Sequence, residues 1–195
     1  MKTIFNFGNV HKDYFKQISN KLLKNYKEIK IPITNIINFK DKDIQIVSPC
    51  YGPPLVIDTL SMMKNIGLVK EKDHIIFLGS MGSVSKKIRL NNFVIPRLIL
   101  PGYLDKIFSK KNLKPNKFLL NKIKEILNKE NIKFIEYKHG TACGVFDPHT
   151  DHIKYKNDFY DETILGLDCE IYSGFAWCYN NNVKCIGLLV CADDP

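Results

Sequence analysis

His74-Ile75-Ile76-Phe77-Leu78-Gly79-Ser80-Met81-Gly82-Ser83 is the stretch on which the fold turns. Its first half is apolar without alternation, the pattern of a strand buried on both faces of a sheet. Its second half is built of glycine and serine. Glycines there let the backbone approach an anion, successive N–H groups can form a nest around it, and Ser80 adds a hydroxyl donor. A buried strand followed by glycines is also found in plain turns, so the stretch defines a fold class more sharply than a site.

The rest of the chain supplies the neighbours such a strand needs. Thr3 to Phe7 is a short β-prone run ending at Gly8, and His11 to Tyr26 carries Phe15, Ile18, Leu22 and Leu23 at helical spacing. Ile31 to Phe39 and Ile44 to Ser48 read as strands around a charged turn, Lys40-Asp41-Lys42-Asp43. Pro53-Pro54 opens a helix through Ile66, and Gly67 stops it. Phe93 to Leu100 is extended, Asn116 to Asn128 is an amphipathic helix, and Phe134 to Tyr137 is a strand. A loop-rich segment from His139 to Tyr155 precedes a helix at Cys169 to Asn180, and Val183 to Cys191 is a second buried strand. Strands alternating with helices predict an α/β fold, a single domain over residues 1–195 with a largely parallel central sheet and helices on both faces. Ligands in such folds bind outside the carboxyl ends of the strands. That singles out Gly8, Cys50-Tyr51-Gly52, Gly79-Ser80 and Ala192-Asp193-Asp194.

Composition narrows the function. Twenty-nine basic residues face twenty acidic ones, a formal net charge of +9, but only Arg89 and Arg97 are arginines. Nucleic-acid sites favour arginines that fork onto bases, interleaved with aromatics, so this lysine excess reads as solvated surface and no nucleic-acid partner is expected. No apolar run approaches the roughly 20 residues of a membrane helix, and the N-terminus is too short and polar for a signal peptide. No membrane partner is expected either. The six cysteines include no CxxC pair and no Cys/His pair at ligand spacing, which points to reduced thiols in a cytoplasmic protein without a metal. His149 and His152 read as surface residues.

Two acidic pieces carry chemistry. Asp168-Cys169-Glu170 stands at a helix start, where carboxylates favourably meet the dipole. In a functional role Glu170 points into a pocket and accepts hydrogen bonds from sugar hydroxyls. Asp193-Asp194 closes the apolar strand Ile186 to Cys191, either as a simple turn or as a carboxylic acid desolvated enough to hold a proton.

Together, in this order, these pieces resemble the nucleoside phosphorylase family, which includes purine nucleoside and uridine phosphorylases and the methylthioadenosine and AMP nucleosidases. Tyr51-Gly52-Pro53-Pro54 resembles the family's G-x-P-S helix entry. His74 to Ser83 resembles its I-I-R-x-G-[ST]-x-G strand and loop, and Phe93-Val94-Ile95 its G-D-[LV]-V-I. Gly166 to Ser173 resembles x-V-[ED]-M-E-x-A, and Leu189 to Pro195 the strand ending V-S-D-x-P. The resemblance spans nearly the whole chain. It implies a mixed sheet flanked by helices, and cleavage of an N-glycosidic bond through an oxocarbenium-like sugar. Phosphate attacks in the phosphorylases and water in the nucleosidases.

Carried over residue by residue, the resemblance assigns phosphate binding to Gly8, Lys12 and Ser80. It assigns the ribose to Glu170, Cys169 and Tyr51, and base stacking to Phe146. Asp193 becomes the acid that protonates a purine leaving group. The leading expectation is therefore a purine nucleoside phosphorylase, a pentosyltransferase with phosphate as co-substrate and no other cofactor. A hydrolytic nucleosidase is the alternative, and a nucleoside-binding member without catalysis a third reading. The family also implies a homo-oligomer, dimer or larger.

Three departures bear on that choice. Phe77 stands where phosphorylases place a phosphate-clamping arginine, and a phenyl ring does not replace a guanidinium. Nucleosidases of the family also lack that arginine, but they activate water with an N-terminal glutamate, and the first Glu here is Glu28. The sequence given begins at the first strand and ends at Pro195, just past Asp193, where the family's upstream extension and closing helical segment would lie.

Overall fold

The computed structural model describes residues 2–7, 27–31, 34–39, 43–50, 52–102, 111–141 and 163–193. The helix expected at His11 to Tyr26, and the loop-rich segment beyond Thr141, lie outside these residues.

Among the described residues nine strands form one sheet. They are β1 (Lys2–Phe7), β2 (Lys27–Ile31), β3 (Thr34–Phe39), β4 (Ile44–Cys50), β5 (His74–Ser83), β6 (Phe93–Leu100), β7 (Phe134–Thr141), β8 (Ile164–Asp168) and β9 (Lys184–Asp193). Their order is β2-β3-β4-β1-β5-β8-β7-β6-β9, and β9 returns to pair with β5. The last five strands therefore close into a ring, while β2-β3-β4-β1 extends from β5 as an open wing. The sheet is mixed. β1 runs parallel to β4 and β5, β5 to β9, and β7 to β6 and β8. The pairs β2–β3, β3–β4, β5–β8 and β6–β9 are antiparallel.

Three helices cover the described sheet: α1 (Pro53–Asn65), α2 (Lys117–Lys129) and α3 (Ile171–Asn180). Successive side chains of β5 point to opposite faces. Ile75 and Phe77 are fully buried in one cluster with Val56, Leu60 and Met63 of α1 and Tyr172 and Phe175 of α3. Ile76 and Leu188 pack on the other face against Leu119, Ile123 and Leu127 of α2. β5 is covered on both faces, fully on the Ile75 and Phe77 side and only in part at Ile76 and Leu78.

Local chemistry fixes the helix ends. α1 starts on its two prolines and stops before Gly67, whose φ of 77° is accessible to glycine at little cost. The side chain of Asn116 caps α2 by accepting from the Phe118 and Leu119 N–H groups at 3.1 and 3.3 Å. α3 is buried from Ile171 through Cys178, and it reaches the sheet through missing side chains. A Cβ on Gly174 would lie 2.6 Å from the Phe77 ring, and one on Gly187 of β9 would lie 2.4 Å from Ile171. The Trp177 indole donates to Ser61 at 3.0 Å and ties α3 to α1.

Several boundaries differ from the sequence reading. Ile31 to Phe39 is not one strand: β2 ends at Ile31 and pairs antiparallel with β3, which begins at Thr34. β5 does not end at Leu78 but runs on to Ser83, so the glycine segment is strand and not turn. β7 continues to Thr141, and β8 is a strand that periodicity alone did not identify. No helix among the described residues is long and apolar enough to cross a membrane.

Candidate active site

The gap in the sheet sits where β5 changes partner. β1 accompanies β5 as far as Asn6 opposite Leu78, and β8 takes over only at Leu167 opposite Gly82. Gly79, Ser80 and Met81 pair with β9 on their other edge. On the edge between β1 and β8 no strand pairs with them among the described residues. A change of strand partner at carboxyl ends is where open α/β sheets hold ligands. Ser80 is exposed there. Because Gly79 to Gly82 are strand, an anion at this place would meet the strand edge and the Ser80 hydroxyl, not a loop nest.

Glu170 stands at the same place. β8 ends at Asp168 and α3 begins at Ile171, so Cys169 and Glu170 form the connector. Glu170 Oε1 accepts the Gly52 N–H at 2.8 Å, joining the starts of α1 and α3. Gly52 has φ 78°, a conformation that suits glycine and turns its N–H toward this carboxylate. Burial pushes the Glu170 carboxyl up from 4.5 to about 7. The Asp168 charge pushes the same way, and the Gly52 and Cys169 N–H groups oppose both. A carboxyl near 7 exchanges its proton under ordinary conditions. When ionised it accepts hydrogen bonds from hydroxyls. Cys169 is half-buried beside it.

Asp193 is the last residue of β9 and lies beside Gly82: a Cβ there would be 3.9 Å from its Cβ and 4.0 Å from its Oδ2. Gly82 pairs with Leu167 on one side and Asp193 on the other. Asp193 and the end of β8 thus flank β5 two strand spacings apart, roughly 10 Å. Its side chain is exposed, so the desolvation that an acid at this strand end requires is not supplied by the described residues.

Ser80, Glu170, Cys169 and Asp193 therefore gather around one end of β5. Gly8, Lys12, Tyr51 and Phe146 lie outside the described residues. Phe77 is wholly buried, with its ring on Gly174 and its centroid 5.7 Å from that of Phe175. It belongs to the core beneath the gap and presents nothing to a ligand.

Behind Glu170, Asp168 joins a chain of buried polar residues; the sequence reading placed Asp168 at a helix start but missed its partners His139 and Tyr137. His139 Nε2 is 2.8 Å from Asp168 Oδ1, and His139 Nδ1 is bonded to the Tyr137 hydroxyl. Asp168 Oδ2 accepts the Ile171 N–H at 3.1 Å. All three side chains are buried. The available signal was period two: Tyr137, His139 and Thr141 alternate inward on β7. Polar residue types at inward positions disguised it as loop.

Several solved nucleosidases and a futalosine hydrolase share this fold. Helicobacter pylori futalosine hydrolase superposes with a TM-score of 0.78 at 16% identity, covering 99% of this chain and 88% of that one. The 5′-methylthioadenosine/S-adenosylhomocysteine nucleosidase of Campylobacter jejuni gives 0.79 at 17% identity, with 100% and 86% covered. The corresponding Helicobacter pylori nucleosidase gives 0.80 at 16%, with 99% and 89% covered. No protein-family model matches the sequence, and no curated sequence does.

Proposed function

We propose that this chain is a member of the nucleoside phosphorylase family acting as a hydrolytic nucleosidase, splitting the N-glycosidic bond of a purine nucleoside with water. The observation that carries the reading is Glu170, a carboxylate held by the Gly52 N–H at the mouth of the gap beside β5. In this reading it grips the ribose hydroxyls. Asp193, across β5, is covered by the bound purine, which supplies the desolvation, and donates a proton to it as the bond from the anomeric carbon to the base nitrogen breaks. Water adds to the same carbon and loses a proton to solvent, from which Asp193 regains its own. The products are free base and free sugar. Glu170 and the Ser80 edge lie near the sugar cation as it develops, and a negative group there favours it.

Water is favoured over phosphate by Phe77, which fills with core the position where a phosphorylase carries its guanidinium. The solved structures of this fold named above are hydrolases by their names, which supports the same choice. The test is release of free base from inosine, adenosine and methylthioadenosine, followed by chromatography. Asp193→Asn is expected to lower kcat by about 100-fold or more, the usual contribution of a positioned acid. Equal rates in the variant would remove Asp193 from the mechanism.

A further inference from the structure

We propose that His139 is a positioning residue for Glu170, acting through Asp168. The inference rests on the reading of Glu170 as the ribose-gripping carboxylate. The hydrogen bonds define the device. Nε2 of His139 faces a carboxylate and so carries the proton, which leaves Nδ1 to accept from the Tyr137 hydroxyl. Asp168 spends one oxygen on that imidazole and the other on the Ile171 N–H. Both oxygens are committed inward, and Asp168 serves as a clamp on the turn that carries Glu170.

The clamp acts on a short lever. One residue, Cys169, separates Asp168 from Glu170, and Ile171 is the first residue of α3. Held on both sides, the turn fixes where the Glu170 carboxylate leaves the backbone and keeps it in reach of the Gly52 N–H. Without His139, Asp168 would be a buried carboxylate short of a partner. Such a group rotates toward solvent or takes up a proton. Either change loosens the turn or removes a negative charge that faces Glu170. Asp168 is the charged side chain that acts on Glu170 among the described residues, and the Gly52 and Cys169 N–H groups are its other neighbours. Tyr137 completes the chain from the far side, its hydroxyl kept protonated by burial and by Asp168.

The test compares the wild-type protein with His139→Leu, which fills the space and makes neither bond, and His139→Gln, which offers both a donor and an acceptor. Two readouts are taken. In base release, His139→Leu is expected to raise KM about tenfold with a much smaller change in kcat, and His139→Gln to restore it. The second needs no substrate: the carbon resonance of the Glu170 carboxyl, assigned by its loss in Glu170→Gln, is titrated with pH. Its midpoint is expected to fall from near 7 in His139→Leu and to stay in His139→Gln. An unchanged midpoint in His139→Leu overturns the inference, as does an equal shift in both variants. If His139→Leu does not fold, His139→Met, which also makes neither bond, is titrated in its place under the same criterion. A wild-type protein that releases no base defeats the functional reading alone, since the carboxyl titration still decides the positioning.

Discussion

Glu170 is the residue on which most of the proposed chemistry rests, and its environment makes a signed prediction. Burial and the Asp168 charge hold its carboxyl near 7. The ionised form accepts hydroxyl hydrogen bonds, so lowering the pH through 7 should weaken nucleoside binding. KM for a purine nucleoside is expected to rise as pH falls from 8 to 6, and Glu170→Gln to abolish that dependence while raising KM throughout. A flat KM profile in the wild-type protein would mean that Glu170 does not meet the sugar. Glu170 and Asp193 were legible in the sequence as candidates, Glu170 at the start of an apolar-rich helix and Asp193 at the end of an apolar strand, each within a stretch that resembles a family motif. The bond between Asp168 and His139 was not. A pair 29 residues apart is joined only by the β7–β8 pairing, which no local pattern announces.

At the scale of elements, the site depends on how α3 seats on the sheet. Gly174 and Gly187 give α3 its space, and Gly166 does the same for β8 against β5; Gly166 and Gly174 differ in what stands opposite. A Cβ on Gly166 would lie 1.7 Å from the Met81 methyl, the far end of a flexible side chain. A Cβ on Gly174 would lie 2.6 Å from a Phe77 ring that is fully buried and packed on Phe175. Gly174→Ala is therefore expected to cost more, about 1–3 kcal/mol by overpacking, although its contact is the longer of the two. Chemical denaturation of both variants checks the order, and a larger loss in Gly166→Ala would contradict it. The extent of β5 shows why the glycine segment was misread. Glycine and serine are turn formers by local preference, yet residues 79 to 83 are held as strand by β9 and β8. Partners distant in sequence override that preference.

At the scale of the molecule, the α/β class and the helices on both faces followed from the alternation of apolar runs. The closed ring did not, because closure depends on β9 pairing with both β5 and β6, and register between distant strands leaves no mark on either. Global stability should also carry the signature of Glu170. Its carboxyl rises from 4.5 in the unfolded chain to about 7 in the fold. Between those values the folded protein holds a proton the unfolded chain has lost, so this contribution is complete below 4.5 and is lost as pH rises through 7. The effect is at most about 3 kcal/mol, and Glu170→Gln should flatten that part of the stability profile. A wild-type profile that rises from pH 5 to 7 and is unchanged by the substitution would contradict the assignment. The measurement that bears most directly on the whole account is base release from a purine nucleoside with and without inorganic phosphate, with the sugar product identified. Release at the same rate in both mixtures, with free sugar as product, is the predicted result. Release only with phosphate, with sugar 1-phosphate formed, or no release in either mixture from folded protein, would contradict it.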